Sequence, residues 1–584
     1  MKLVFFILLI LLLPIVHSAE IPLLAVKQTQ EGFVGSSANL QLEIKQGNGR
    51  VFLDTYPLTK LDTQMSTRFA KEIACRDSEC NNKDFIYTIK SNSVIVGGPS
   101  AGAAITLLTI AELENLEIKK GIAITGTINS GGLIGTVGGL KEKINAAKDL
   151  ELNTVLIPHG EKTGKINNIT MADYVINISQ ENISTIDLIK YGKSLDIDVI
   201  EVATIDEALY HATGKEIQKL NTSLIVDETY TTTMQKVTQE LCTETLKAKK
   251  LLTDFKNNTE YKNAINLTQR YELAFKNEKY YSAASYCFGA NTKFTYLRLK
   301  NLTDSQIISR ITSLKQSIKE MNKIIDDQEL RTITDLETYM IVKERLVEAE
   351  ITLNNILKEN NKTKELKSLA YSIERINSAI SWANFFDTGT KEFMINKEEI
   401  KNSCLNKIAE AEERHQYLNL LLELDFEDTE EELELARKDL EDENYELCLF
   451  KASKAKANSD VILNTAGIEE SQLLDVHNKR LEVLKENIIK EQQKGIFPII
   501  GYSYYEYAED LKEKDIYSSM LFAEYSLELS NLDIYFKEET KEPPVKLNIE
   551  KNVLISFILI FISGILIGFG LGNIKKKPKN KPKK

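Results

Sequence analysis

"IVGGPSAGAAI", residues 95–105, poses the question on which the N-terminal part of the chain turns. Two glycines and a proline precede Ser100, and only small side chains follow it as far as Ala104. A glycine-rich turn that opens a helix either cradles phosphate or presents a nucleophile. A phosphate loop needs G-x-x-x-x-G-K-S/T, which neither this stretch nor "GTVGGLKEK", residues 135–143, supplies. As a nucleophile, Ser100 stands in the first turn of a helix expected over 100–115. There, unpaired amides and the helix dipole favour negative charge on an attacked carbonyl oxygen. Gly97 and Gly98 carry no side chain to block an incoming peptide, Pro99 stiffens the approach, and Ala101, Gly102 and Ala103 let the helix start pack closely.

A serine hydroxyl is inert without a base. The histidines, at 17, 159, 211, 415 and 477, do not cluster, and none is placed for the task. A lysine can serve if burial in a dry pocket pulls its pKa down from about 10.4. The candidates lie in "GTVGGLKEKINAAKDL", residues 135–150, where two glycines lead into a helix carrying Lys141 and Lys143. At ~100° per residue these two lie roughly 200° apart, so one of them faces inward, and the pattern alone leaves the choice open.

Around these motifs, "IPLLAV", "ANLQLEI", "RVFLDT", "FIYTI", "GIAITGTI", "NTVLIP" and "DVIEV" are short β-branched runs bounded by turn residues. They alternate with helical patterns over 61–75, 100–117, 139–149 and 204–213, giving a mixed α/β unit over 20–214. Beyond a linker at 215–227 the composition changes. No proline occurs between Pro158 and Pro498, and glycine between Lys215 and Lys494 is limited to Gly289, Gly389 and Gly467. Long helices follow, so 228–545 is read as an all-α array. Weak internal similarity links "YYSAASYCFGA" at Tyr280, "NYELCLFKASKA" at Asn444 and "IYSSMLFAEYSL" at Ile516.

Six cysteines, an even count, suggest disulfides, most simply Cys75 with Cys80, Cys242 with Cys287 and Cys404 with Cys448. The nearly equal separations of the last two pairs suggest a duplicated helical hairpin, each copy stapled across its two helices. No C-x-x-C occurs, so neither a metal nor another cofactor is expected.

The two ends speak for location. Residues 1–19 combine Lys2, an apolar run over 3–16 and the small Ser18 and Ala19, the build of a signal peptide cut after Ser18. Residues 553–572 carry no charge over about 20 residues, the length of a transmembrane helix. The lysine-rich tail, 573–584, favours the cytoplasmic side. The expectation is a single-pass cell-membrane protein with its N-terminal ectodomain outside. Eight N-x-S/T sequons agree with an exterior glycoprotein. Gly564, Gly568 and Gly572 share one face of the span and offer a surface for a homo-oligomer. The net charge of −12 includes seven tail lysines, so the remainder is more acidic still, which argues against nucleic acid as a partner.

"GGPSAG" followed by "AITGTINSGGLIGTVGGLKEKINAAKDLELNTVLIP" resembles the proteolytic domain of Lon proteases, with the P-S-A-G serine turn, a T-G step and the lysine helix in the same order. The resemblance covers about 20–214 and implies an α+β fold, peptide-bond cleavage and a Ser/Lys dyad. The spacing of 43 between Ser100 and Lys143 matches that dyad and selects Lys143 over Lys141. The resemblance places Thr125 beside the lysine. Gly97 and Thr127 depart from the family, which commonly has acidic residues there. Without an ATPase module, the chain is similar to the membrane-anchored, ATP-independent Lon-like proteins of archaea. The expected architecture is thus an α+β Lon-like proteolytic domain, an all-α helical array and one C-terminal transmembrane helix. The expected function is an outward-facing serine endopeptidase acting on unfolded or membrane-associated polypeptides. The alternative is a catalytically silent surface scaffold whose helices bind a partner.

Overall fold

Strand β4 (Lys83–Val96), which runs toward the serine turn, owes its place to strict alternation. Phe85, Tyr87 and Ile89 are fully buried on one face, as the two-residue period of a strand requires. The computed structural model describes residues 19–536 apart from 30, 31, 60, 77, 79, 97, 166–184, 217–222, 359, 360, 423–425, 466, 467 and 469. The signal segment expected over 1–19, apart from Ala19, lies outside the described residues, as do the span expected over 553–572 and the tail at 573–584. Among the described residues no helix is long and apolar enough to cross a membrane.

Preceding β4 are β1 (Ala19–Thr29), β2 (Gly32–Gln46), β3 (Val51–Thr59) and α1 (Leu61–Ala74). The sheet order is β1-β2-β4-β3, with β2 antiparallel to β1 and β4. β3 pairs parallel with β4, because α1 provides the crossover between them. Helix α2 (Gly102–Leu113) lies under this sheet and is apolar on nearly every side, as a central helix must be. Its Thr109 hydroxyl satisfies the buried Tyr87 phenol at 2.8 Å.

The chain continues through β5 (Ile122–Ile124), β6 (Thr127–Ile128), β7 (Ile134–Gly135), α3 (Leu140–Asp149), β8 (Thr154–Pro158), β9 (Thr163–Lys165), β10 (Thr185–Asp187), α4 (Leu188–Ser194), β11 (Asp198–Val202) and α5 (Ile205–Thr213). Strands β11, β8 and β5 form a parallel sheet in that order. Its middle strand is continuously buried from Val155 to Pro158, the pattern of a parallel strand covered on both faces.

Two local readings change. The expected strand "GIAITGTI" is broken between β5 and β6, because Thr125 and Gly126 direct their amides to Leu156 and Ser100. Ser100 itself lies in a 3-10 turn, Pro99–Ala101, and α2 begins only at Gly102. Its carbonyl accepts from Gly126 N at 3.1 Å.

After residue 227 the described residues form α6 (Glu228–Leu251), α7 (Thr259–Lys276), α8 (Tyr280–Leu299), α9 (Asp304–Asp326), α10 (Ile333–Asn355), α11 (Lys362–Trp382), α12 (Lys397–Leu422), α13 (Glu427–Glu441), α14 (Tyr445–Thr465), α15 (Glu470–Gln493), α16 (Ile499–Leu511) and α17 (Ile516–Leu529). Side-chain caps start many of them, including capping boxes at Thr303 with Gln306 and Thr332 with Asp335. Disulfides join Cys75 to Cys80, Cys242 to Cys287 and Cys404 to Cys448. The expected two-helix hairpins are corrected: Cys242 on α6 meets Cys287 on α8, and Cys404 on α12 meets Cys448 on α14. Each disulfide therefore ties the first and third helices of a three-helix unit, since a third helix fits inside a loop of 44 or 45 residues. The α/β part and the helices belong to one compact unit.

Candidate active site

The turn that carries Ser100 is held from two sides. Gly98 adopts φ of +106°, a conformation that only glycine takes without strain, and a Cβ there would meet nothing within 4 Å. The approach to the turn is thus open at its backbone. From α1, Ser66 donates to the Pro99 carbonyl at 3.4 Å. From the break between β5 and β6, Gly126 N donates to the Ser100 carbonyl at 3.1 Å, and Ala103 N donates back to the Gly126 carbonyl at 3.0 Å. Ser100 and Ala101 are half-buried.

Lys143 comes from α3, which starts at Gly139 in a left-handed conformation, φ +69°. Leu140, Lys143, Ile144, Ala146 and Ala147 form the buried face of this helix. Lys141 lies on another face, its amine 6.0 Å from the centre of the Tyr191 ring. The Lys143 side chain is 3% exposed and donates to Thr125 Oγ1 at 2.9 Å. Burial strips water from the ammonium and lowers its pKa to about 8, although the nearby Glu161 carboxyl opposes the shift. Among the described residues the amine bonds to Thr125 and not to Ser100. Ser100 and Lys143 are therefore linked through one dipeptide: Gly126 holds the serine turn and Thr125 holds the amine.

Glu161 escaped the sequence reading. It is 7% exposed and lies just past β8, where it accepts from Val137 N at 3.3 Å. Burial pushes its pKa up to about 8, against the pull of the Val137 amide and of Lys143. Its legible signal was an acidic residue past the C-terminal end of a parallel strand, where such sheets place functional groups. Among the described residues no cluster of histidine, cysteine, aspartate or glutamate of metal-ligand type occurs.

The helical part reaches the same place. Residues 128–138, which connect Thr125 to the lysine helix, are contacted by α12 and α14: Arg414 bonds to Asn129, Lys456 to Ser130, and Thr136 to the Leu463 carbonyl. None of these residues was singled out from the sequence. Cys242, Cys287, Cys404 and Cys448 lie in the helical part, and Cys75 with Cys80 closes the loop after α1.

Residues 64–190 match the Lon protease C-terminal proteolytic domain. Over 143 residues, 24% of this chain and 15% of the relative, the sequence is 30% identical to the Lon protease of Methanosphaera stadtmanae. Over 83 residues, 14% of this chain and 13% of the relative, it is 35% identical to the archaeal Lon protease of Methanocaldococcus jannaschii. Over 65 residues, 11% of this chain and 8% of the relative, it is 46% identical to the Lon protease of Buchnera aphidicola. The chain spans at most 15% of the length of these three relatives. The α+β part followed by helices fits a Lon-like proteolytic domain, and Ser100, Thr125, Lys143 and Glu161 all fall inside the matched segment.

Proposed function

We propose that this chain is a serine endopeptidase in which Ser100 attacks the peptide carbonyl and Lys143 takes its proton. Lys143 then returns the proton to the leaving amine and activates the water that releases the acyl group. Thr125 aims the amine, and backbone N–H groups near Gly98 and Ala101 receive the oxyanion. The observation that carries this reading is a buried lysine bonded to Thr125 at 2.9 Å, and burial lowers the pKa of that amine to about 8. An amine poised near the working pH is what a general base requires.

The sequence supports the finer reading of location and energy source. The apolar segments at 1–19 and 553–572 favour a membrane-anchored ectodomain, and no phosphate-loop motif accompanies the serine turn. Hydrolysis proceeds without ATP on chains that are already unfolded, extended or protruding from a membrane. The decisive experiment incubates the full chain with an unfolded casein and compares Ser100→Ala and Lys143→Ala. Cleavage lost in both supports the dyad. Cleavage unaffected by either removes it, and none in wild type favours the silent scaffold. Protease treatment of intact cells tests orientation: digestion of the lysine tail alone would reverse it.

A further inference from the structure

The segment 128–138 is held within the α/β part by a short set of bonds: Ile134 N donates to the Ala203 carbonyl at 2.9 Å, Leu133 bridges to Thr204, and Val137 N donates to Glu161 at 3.3 Å. Its hairpin consists of two residue pairs, Thr127 with Gly135 and Ile128 with Ile134, and so short a hairpin is marginal in water. Yet it begins three positions after Thr125 and ends five before Lys143, so its placement sets the geometry between them.

The helical array adds further support with charged groups. Arg414 of α12 donates to the Ile128 carbonyl and, at 2.6 Å, to Asn129 Oδ1. Lys456 of α14 donates to Ser130 Oγ at 3.1 Å. Each cation is aimed by a carboxylate behind it. Asp460 meets Arg414 Nε at 3.2 Å, and Glu528 of α17 meets Lys456 at 2.9 Å. Burial pushes the Glu528 carboxyl up, but Lys456 and Lys407 overcome it and hold the group well below the usual carboxylate range. At the far end of the segment, Thr136 donates to the Leu463 carbonyl of α14 at 2.8 Å.

Arg414, Lys456, Asp460 and Glu528 are each no more than 2% exposed. An interface that only joined two parts of a chain would do as well with apolar side chains, because replacing buried ion pairs by well-packed apolar groups is often neutral or stabilising. What the charges add is direction: three consecutive loop residues each receive a bond from a fixed donor. The Lys456 to Ser130 contact outlines a second serine and lysine pair, but Glu528 and Glu410 neutralise Lys456, which acts on Ser130 as a donor.

We infer that the helical array is a built-in part of the peptidase site, in which Arg414 and Lys456 act as positioning residues that seat segment 128–138 and through it align Thr125 with Lys143. The inference rests on the peptidase reading for its kinetic consequence and on geometry alone for its structural one.

The test uses the full chain, with unfolded casein and a peptide substrate, and reads kcat, KM and hydrogen exchange over 126–139. Arg414→Ala and Lys456→Met should each lower kcat by about 10- to 100-fold with KM changed less than about twofold, and speed exchange only in that segment. Arg414→Lys, which keeps one of the two bonds, should recover part of kcat. Lys479→Ala, which breaks a half-buried pair with Glu207 at the same junction, should leave kcat as in wild type. Should Arg414→Ala fail to fold, Thr136→Val, which removes the bond to the Leu463 carbonyl, carries the same expectation. Wild-type kcat in the folded variants overturns the inference, as does unchanged exchange. A wild type without activity, or activity that survives Ser100→Ala, defeats the peptidase reading instead. Exchange over 126–139 then decides the seating by itself, faster exchange supporting it and unchanged exchange overturning it.

Discussion

Lys143 Nζ donates a hydrogen bond to Thr125 Oγ1 at 2.9 Å, in a setting where neither side chain is more than 3% exposed. One acceptor fixes where the amine points, and the amine cannot replace it with water. Thr125→Val keeps the shape and removes the acceptor. Because a hydrogen bond to a charged group contributes roughly 1.5–3 kcal/mol, kcat should fall by about 10- to 100-fold. Thr125→Ser should restore most of it, and steady-state hydrolysis of a peptide substrate reads both.

Activity should rise with pH through about 8 as Lys143 loses its proton. Glu161 lies close enough to hold that pKa up. Glu161→Gln keeps an oxygen for the Val137 amide and removes the charge that the carboxyl carries from about pH 8 upward, so the upper part of the kcat/KM limb should move to lower pH. A limb that stays in place, or moves upward, would show that the carboxyl does not act on the amine.

The same burial affects stability. A lysine whose folded pKa is depressed from 10.5 to about 8 penalises the folded state fully below 8, and the penalty fades as pH rises toward 10.5. Lys143→Met should therefore raise stability by roughly 2–3 kcal/mol at pH 7, with the gain shrinking across pH 8 to 10.5. Thermal unfolding of the two proteins across this range checks the sign. A constant difference would contradict it.

The Cys404–Cys448 disulfide closes a loop of 44 residues and ties α12 to α14, the helices that carry Arg414 and Lys456. Replacing both cysteines by alanine should cost about 4 kcal/mol on the chain-entropy account. It should also lower kcat more than the equivalent change at Cys242 and Cys287, whose helices do not supply these donors. Unfolding curves and peptide hydrolysis separate the two effects.

Much was legible because it is local. The strands with two-residue alternation, the shift to proline-free helical periodicity after 227, and the order of the serine turn, T-G step and lysine helix are all carried by neighbours in the chain. Lys141 and Lys143 could not be separated by pattern alone, since a helix presents both at ~200° and only packing says which side is dry.

What the amino-acid order determined by itself was the set of elements and the candidate chemistry, because propensity, turn residues and spacing act over a few positions. The family resemblance already places Thr125 beside Lys143, while tertiary structure alone decided that Glu161 lies beside them and that Arg414 and Lys456 point inward. A charged side chain between apolar positions reads as solvated. Its burial depends on donors and acceptors some 300 residues away, such as the Lys456 to Ser130 contact across 326 positions, and local periodicity holds no record of them.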